Sequence, residues 1–149
     1  METPINTNNK LLYPELSYKM CGALYNVANA YGKGLKETIY QKALAEELEK
    51  QGIPFEREKR IDIYSTESGK KLGTYIPDFV IDNKIVLEIK ATTFSTRQNL
   101  EQQLSYLKAS KYELGYLVNF STPKLYLKRS IYTNDRKIRI STDNIRVNS

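Results

Sequence analysis

Apolar residues recur at helical spacing early in the chain: Leu16, Met20, Ala23, Leu24, Val27, Ala28 and Tyr31. Steps of three and four put them on one stripe. A helix is therefore predicted from Pro14, where a first turn tolerates proline, closing at Gly32. Cys21 falls within it as a small core or near-core residue. A second helix is predicted from about Leu35 to Gln51, with Tyr40, Leu44 and Leu48 as its stripe and Gly52-Ile53-Pro54 as its stop. One step of three back from Tyr40 lies Glu37, a carboxylate on the inward stripe. A helix N-terminus favours negative charge, but an inward carboxylate also needs a partner.

The pattern then changes to a period of two. Phe55 to Tyr64 reads as a strand, with Ile61 and Ile63 marking one face. Glu56, Glu58 and Asp62 on the other face are either extra site carboxylates or, the commoner use, a solvated edge. Thr66 to Lys71 is a polar turn and a strand resumes near Leu72. Tyr75 to Ala91 reads as two β-branched strands joined by a tight turn at Asp82-Asn83-Lys84, where Asp and Asn tolerate left-handed geometry. These segments predict a three-stranded antiparallel meander.

Ser95 with Gln98 matches a capping box. A helix follows to about Ser110, with Leu100, Leu104 and Leu107 as its stripe and Gln103 at the border. Glu113 to Phe120 is a buried strand, and the intervening helix makes a crossover, so parallel pairing with the Glu88 strand is expected. Lys124 to Tyr132 and Lys137 to Ser141 read as further strands. Residues 1–149 are expected to form one domain, with residues 1–12 a flexible lead-in. The fold class is α/β in the α+β sense: a central mixed sheet flanked by helices.

Composition removes several chemistries. The 149 residues include no histidine and one cysteine. That excludes Ser-His-Asp and Cys-His catalysis, His-ligated zinc, an internal disulfide and any cysteine-clustered metal. The net charge of +6 favours anionic partners, nucleic acid first. No segment approaches the roughly 20 apolar residues of a membrane span, and Met1 to Lys10 lacks an apolar signal core, so a cytoplasmic location is expected. Twelve tyrosines can stack on bases or cap core edges. Lys124, Lys128, Arg129, Arg136, Lys137, Arg139 and Arg146, interleaved with Tyr126 and Tyr132, would either track a phosphate backbone or form a charged edge that resists aggregation.

The two strands of 75–91 carry the candidate chemistry. With Ile81 across from Ile85, Asp78 falls across from Glu88. Phe79, Ile81, Ile85, Leu87 and Ile89 share the apolar face; Asp78, Val80, Val86, Glu88 and Lys90 share the other. Directly opposed carboxylates come within about 5 Å at Cβ. They repel unless a cation lies between them or one binds a proton, and a divalent metal resolves the conflict. Magnesium takes one or two carboxylates and keeps several waters. Lys90 can reach the metal's water or a phosphate. A solvated sheet face with mixed charges is the ordinary alternative. Glu37 would find its partner in Lys90 or in a metal-bound water.

Pro77-Asp78, a short gap, then Glu88-Ile89-Lys90 resembles the signature of the PD-(D/E)XK nuclease superfamily. Gly34-Leu35-Lys36-Glu37-Thr38-Ile39-Tyr40 is G-x-x-E-x-x-Y and resembles the GxxExxY branch of that superfamily, over about Leu16 to Phe120. The branch frequently has a histidine where this chain has Ala28 and a proline where it has Lys33. Gln102 and Tyr106, neighbours at i, i+4, are similar to a Q-x-x-x-Y motif of exonuclease-like members; an ordinary polar helix flank has the same spacing.

The resemblance implies a restriction-endonuclease-like α-β-β-β-α-β core and a Mg²⁺-dependent nuclease acting on DNA, with Mn²⁺ as a substitute. Asp78 and Glu88 would hold the metal, with the Ile89 carbonyl as a further ligand. Lys90 would position water or stabilise the phosphate, and Glu37 would orient Lys90 or complete the outer shell. Gln102 and Tyr106 would buttress the site. A homodimer would let a chain this small reach both strands. The alternative is a catalytically idle nuclease-fold module that binds nucleic acid or protein.

Overall fold

The computed structural model of the chain describes residues 12–93 and 97–137. The lead-in up to residue 11, the Ser95 half of the capping box, Arg139, Arg146 and nearly all of the strand expected at 137–141 lie outside the described residues.

Helix α1 (Pro14–Tyr31) begins on its proline and ends at Gly32, whose N–H donates to the Ala28 carbonyl at φ +65°. Met20, Ala23, Leu24 and Val27 form the buried stripe, whereas Tyr31, expected on it, is half exposed. Helix α2 (Glu37–Lys50) starts two residues later than expected and buries Tyr40, Leu44 and Leu48. Both helices pack on one face of the central sheet, against Phe79, Ile81, Ile85, Leu87, Ile89, Leu114 and Val118.

That sheet joins β1 (Phe55–Arg57), β4 (Phe79–Ile81), β5 (Ile85–Lys90), β6 (Leu114–Asn119) and β7 (Tyr126–Ile131) in the order β1-β4-β5-β6-β7. Strands β5 and β6 are parallel, as the crossover through α3 (Arg97–Lys108) requires; the other pairs are antiparallel. Ile81 stands across from Ile85, and the turn between them places Asp82 and Asn83 in the left-handed region.

The expected meander differs in that its first two strands are each divided between two sheets, the second between β4 and a strand over 71–75. The single strand read over 55–64 is two strands in two sheets. Glu58, at φ +53°, turns the chain after β1. The chain then leaves as β2 (Ile61–Tyr64), which pairs only with β3 (Lys71–Tyr75) in a separate hairpin. No breaker residue marks that site; a glutamate there must adopt a conformation that ordinarily favours glycine.

The hairpin and α3 cover the second face of the sheet. Val80 and Val86, which would be exposed on a solvated face, are fully buried with Ile61, Tyr75, Leu107 and Tyr112. Within α3 the most buried residues are Leu107 and Gln103, not Leu100 and Leu104. The reason lies on β6. Gly115 leaves a gap into which the Gln103 side chain lies, with its Nε2 donating to the Tyr116 carbonyl at 2.9 Å. A Cβ at Gly115 would stand 2.7 Å from Gln103 Cδ. Gly115→Ala must dislodge that amide, so it is expected to cost about 1–3 kcal/mol, read as a lower urea midpoint. Adding Gln103→Ala should cost less than the sum of the two single changes, because both act on one contact. Additive losses would show that the contact is incidental.

Among the described residues no helix is long and apolar enough to cross a membrane.

Candidate active site

Pro77 fixes the approach to β4 and leaves Asp78 just before its first residue, at the edge of the Val80 face. The Asp78 side chain turns toward β5, where its Oδ2 accepts the Ile89 N–H at 2.7 Å. Glu88, on β5, is held from the other side. Its Oε2 accepts the Tyr75 hydroxyl at 2.6 Å. The Tyr75 ring stacks on that of Tyr106, with centroids 4.0 Å apart and planes within 6°. Each carboxylate is thus oriented by one of these bonds, and the two lie close enough for a hydrogen bond between their side chains.

Lys90 follows Glu88 on the same strand face, half-buried, and its charge acts on both carboxylates. Glu37 arrives from α2. Its Oε2 accepts the Ala91 N–H at 3.2 Å, across a sequence separation of 54 residues. The partner of this inward carboxylate is therefore a backbone amide at the end of β5. Among the described residues no ion pair within 4 Å joins it to Lys90.

The G-x-x-E-x-x-Y segment has a physical basis in this arrangement. Gly34 sits at φ +106°, and Glu37 is the first residue of α2. Tyr40, one turn on, donates its hydroxyl to the Gly32 carbonyl at 2.5 Å and accepts the Leu35 N–H at 3.3 Å. Its ring stacks on Phe120 at 4.3 Å, and the Phe120 N–H donates to the Lys90 carbonyl at 2.9 Å. The tyrosine ties the loop that launches Glu37 to the strand end that Glu37 reaches.

Burial dominates the electrostatics. It pushes Asp78 above the ordinary carboxylate range; the Ile89 N–H and Lys90 pull the other way, and Glu37 adds to the rise. Burial likewise raises Glu88, to about 7, with the Asp78 charge adding to the rise and the Tyr75 hydroxyl and Lys90 opposing it. Two half-buried carboxylates of raised pKa facing each other are a site that a cation would relieve. Among the described residues no group of three or more His, Cys, Asp or Glu side chains is arranged to hold an ion. The donor set is a pair of carboxylates. Such a pair fits a hard divalent ion that keeps most of its waters.

The remaining candidates divide. Tyr106 reaches the site through Tyr75. Gln102 does not: it is exposed, in a shallow depression of α3 beside Gln98 and Ser105. The buried glutamine is its neighbour Gln103, which serves the α3–β6 contact. Glu56 pairs with Lys59 at 3.4 Å, Asp62 pairs with Lys71 at 3.2 Å, and Glu58 is exposed, so these three are edge charges. Cys21 is partly buried against the core, which raises its thiol pKa. Tyr75 carries no signal in the sequence beyond being one tyrosine of twelve.

The family model of the PD-(D/E)XK nuclease superfamily matches residues 14–130. Nucleases of that superfamily generally use divalent metal ions. Among solved structures, the chain is similar to SSO0001 at 19% identity and a TM-score of 0.52, covering 97% of this chain and 70% of that one. This likeness bears on the fold, a mixed sheet with flanking helices of restriction-endonuclease type. An alkaline exonuclease (LHK-Exo) from Laribacter hongkongensis is similar at 16% identity and a TM-score of 0.42, covering 62% of this chain. The chain spans 53% of the length of that exonuclease. No curated protein matches the sequence.

Proposed function

The chain belongs to the PD-(D/E)XK nuclease superfamily, and from that premise we propose that it is a Mg²⁺-dependent nuclease of the GxxExxY branch that hydrolyses phosphodiester bonds in DNA. The observation that carries the proposal is the facing pair Asp78 and Glu88, each oriented by its own hydrogen bond, with Lys90 on the same strand face. Mn²⁺ would substitute for Mg²⁺, the protein would work in the cytoplasm, and a homodimer would bring a second site to the other strand.

A bound divalent ion supplies Lewis acidity toward the phosphate and a more acidic water. Asp78 and Glu88 are the residues that would hold it. The Tyr75 hydroxyl and the Ile89 N–H fix one oxygen of each in advance, so little side-chain freedom is lost on loading. The Lys90 ammonium faces the two carboxylates and neutralises charge that builds on the scissile phosphate. Glu37 acts as a positioning residue: it holds the Ala91 N–H, and so the strand end from which Lys90 projects. Tyr106 acts through Tyr75. No histidine is required, in keeping with a chain that has none.

Plasmid nicking in Mg²⁺ tests the reading. Lys90→Ala should cut at least about a hundredfold more slowly than wild type, the scale of losing one preorganised charge donor at a reacting phosphate. Equal rates in wild type and Lys90→Ala would trace the cleavage to a contaminant. No cleavage of any nucleic acid by wild type would leave the idle nuclease-fold module.

A further inference from the structure

A cationic surface lies apart from the carboxylates, at the other end of the hairpin and α3. A groove of about 630 Å³ opens between the β2–β3 hairpin, the C-terminal end of α3 and the 3-10 turn Asn134–Arg136. Lys59, Arg60, Lys108, Lys111 and Lys137 line it, against one carboxylate, Asp62. That carboxylate is already engaged, by the Lys71 ammonium at 3.2 Å and the Thr74 hydroxyl at 3.2 Å. Arg60, Lys108 and Lys111 are exposed and form no ion pair among the described residues.

The groove is built rather than incidental. Lys137 spends its ammonium on the carbonyls of Ser110 and Tyr112, at 2.8 Å each, and on Asn134 Oδ1 at 2.6 Å. It thereby clamps together the segments that form the floor. Lys108 lies over the Tyr132 ring and Lys111 over the Tyr112 ring, each 5.3 Å from the centroid. An aromatic face steadies an ammonium without neutralising it. Positive charge in a concave wall concentrates its field on the open side.

We propose that this groove is an exosite for the phosphodiester backbone of DNA, engaged away from the site of cleavage. Cations spread over three chain segments suit a repeating anion better than a single one. The proposal rests on the nucleic-acid reading above for the identity of the polymer. Its place in the fold sets a length. The Tyr112 hydroxyl donates to Asn83 Oδ1, at the β4–β5 turn. Beyond that turn Glu88 is the fourth residue of β5, about 10 Å from Ile85 at the rise of a strand. A DNA strand presents a phosphate about every 3.4 Å of axis. A duplex that fills both sites therefore spans at least about three base pairs between them.

The test is fluorescence anisotropy of a labelled 30-base-pair duplex in EDTA, over a series of salt concentrations, for the full chain and for the triple variant Arg60→Gln, Lys108→Gln, Lys111→Gln. All three positions are exposed and outside the carboxylate site, so folding should be unchanged by circular dichroism. The salt slope should fall by about 0.9 for each phosphate contact removed, and affinity at 0.1 M salt should drop at least about tenfold. An unchanged slope and affinity would overturn the exosite, as would a labelled poly-glutamate that binds the groove as tightly as the duplex. Mg²⁺-dependent cleavage, scored separately, keeps the two readings apart. Groove-dependent binding without cleavage retains the exosite and removes the hydrolase; cleavage with an unaltered salt slope does the reverse.

Discussion

Asp78→Asn and Glu88→Gln are each expected to lose Mg²⁺-dependent cleavage by about a hundred- to a thousandfold, while melting no lower than wild type at pH 8 without metal. Both halves follow from the same electrostatics. Burial holds both carboxylates above their ordinary range, with the Glu37 charge adding to the rise of Asp78 and the Asp78 charge to that of Glu88. The folded protein binds protons there more tightly than the unfolded chain. Their stabilising contribution is therefore complete below the unfolded pKa and is lost as pH rises through the folded one. For Glu88 that window runs from about 4.5 to about 7. Metal-free wild type should lose thermal stability across it, and Glu88→Gln should show a flatter profile. Mg²⁺ should restore the melting temperature of wild type at pH 8 by mass action and leave both variants unmoved. Variants that melt lower at pH 8, with no Mg²⁺ response in wild type, would make the pair structural and refute the metal site.

Tyr40→Ala should be the most destabilising single change in the G-x-x-E-x-x-Y segment. Tyr40 is fully buried, stacks on Phe120 and closes the Gly32–Leu35 loop through its hydroxyl. Large aromatic truncations of this kind cost about 3–5 kcal/mol, a large part of the total stability of a domain. Tyr40→Phe keeps the stack and leaves the Gly32 carbonyl and Leu35 N–H without their shared partner, so it should cost about 1–3 kcal/mol. Chemical denaturation of the three proteins gives both numbers. Activity should fall in Tyr40→Phe beyond what unfolding explains, because the loop launches Glu37 toward Ala91. Full activity in Tyr40→Phe at a temperature where it stays folded would confine the tyrosine to stability.

The acidic pair and the lysine were legible because their signal is local. Alternation along 79–81 and 85–90, joined by a turn of Asp-Asn chemistry, is enough to put Asp78, Glu88 and Lys90 together. Glu37 was legible as an inward carboxylate, but its partner was not: nothing near residue 37 announces an amide 54 positions away. Gln102 and Gln103 show the limit from the other side. Helical spacing left either able to turn inward, and the gap over Gly115 decided for Gln103. Along the chain the basic residues concentrate from 124 onward. The groove draws Lys59, Arg60, Lys108 and Lys111 from segments whose charges look unremarkable in order.

By itself the sequence determined the three described helices, the strands apart from the breaks within 55–64 and 72–81, the register of the β4–β5 pair and the trio it carries, since side-chain periodicity and turn chemistry act over a few residues. Tertiary structure alone decided that the charged face would be roofed by α3 and a hairpin, which buries the carboxylates and raises their pKa. It also brought the Tyr75 hydroxyl to Glu88 and gathered the cationic groove. Desolvation and contacts between distant segments come from packing, and packing exists only once the layers have closed on one another.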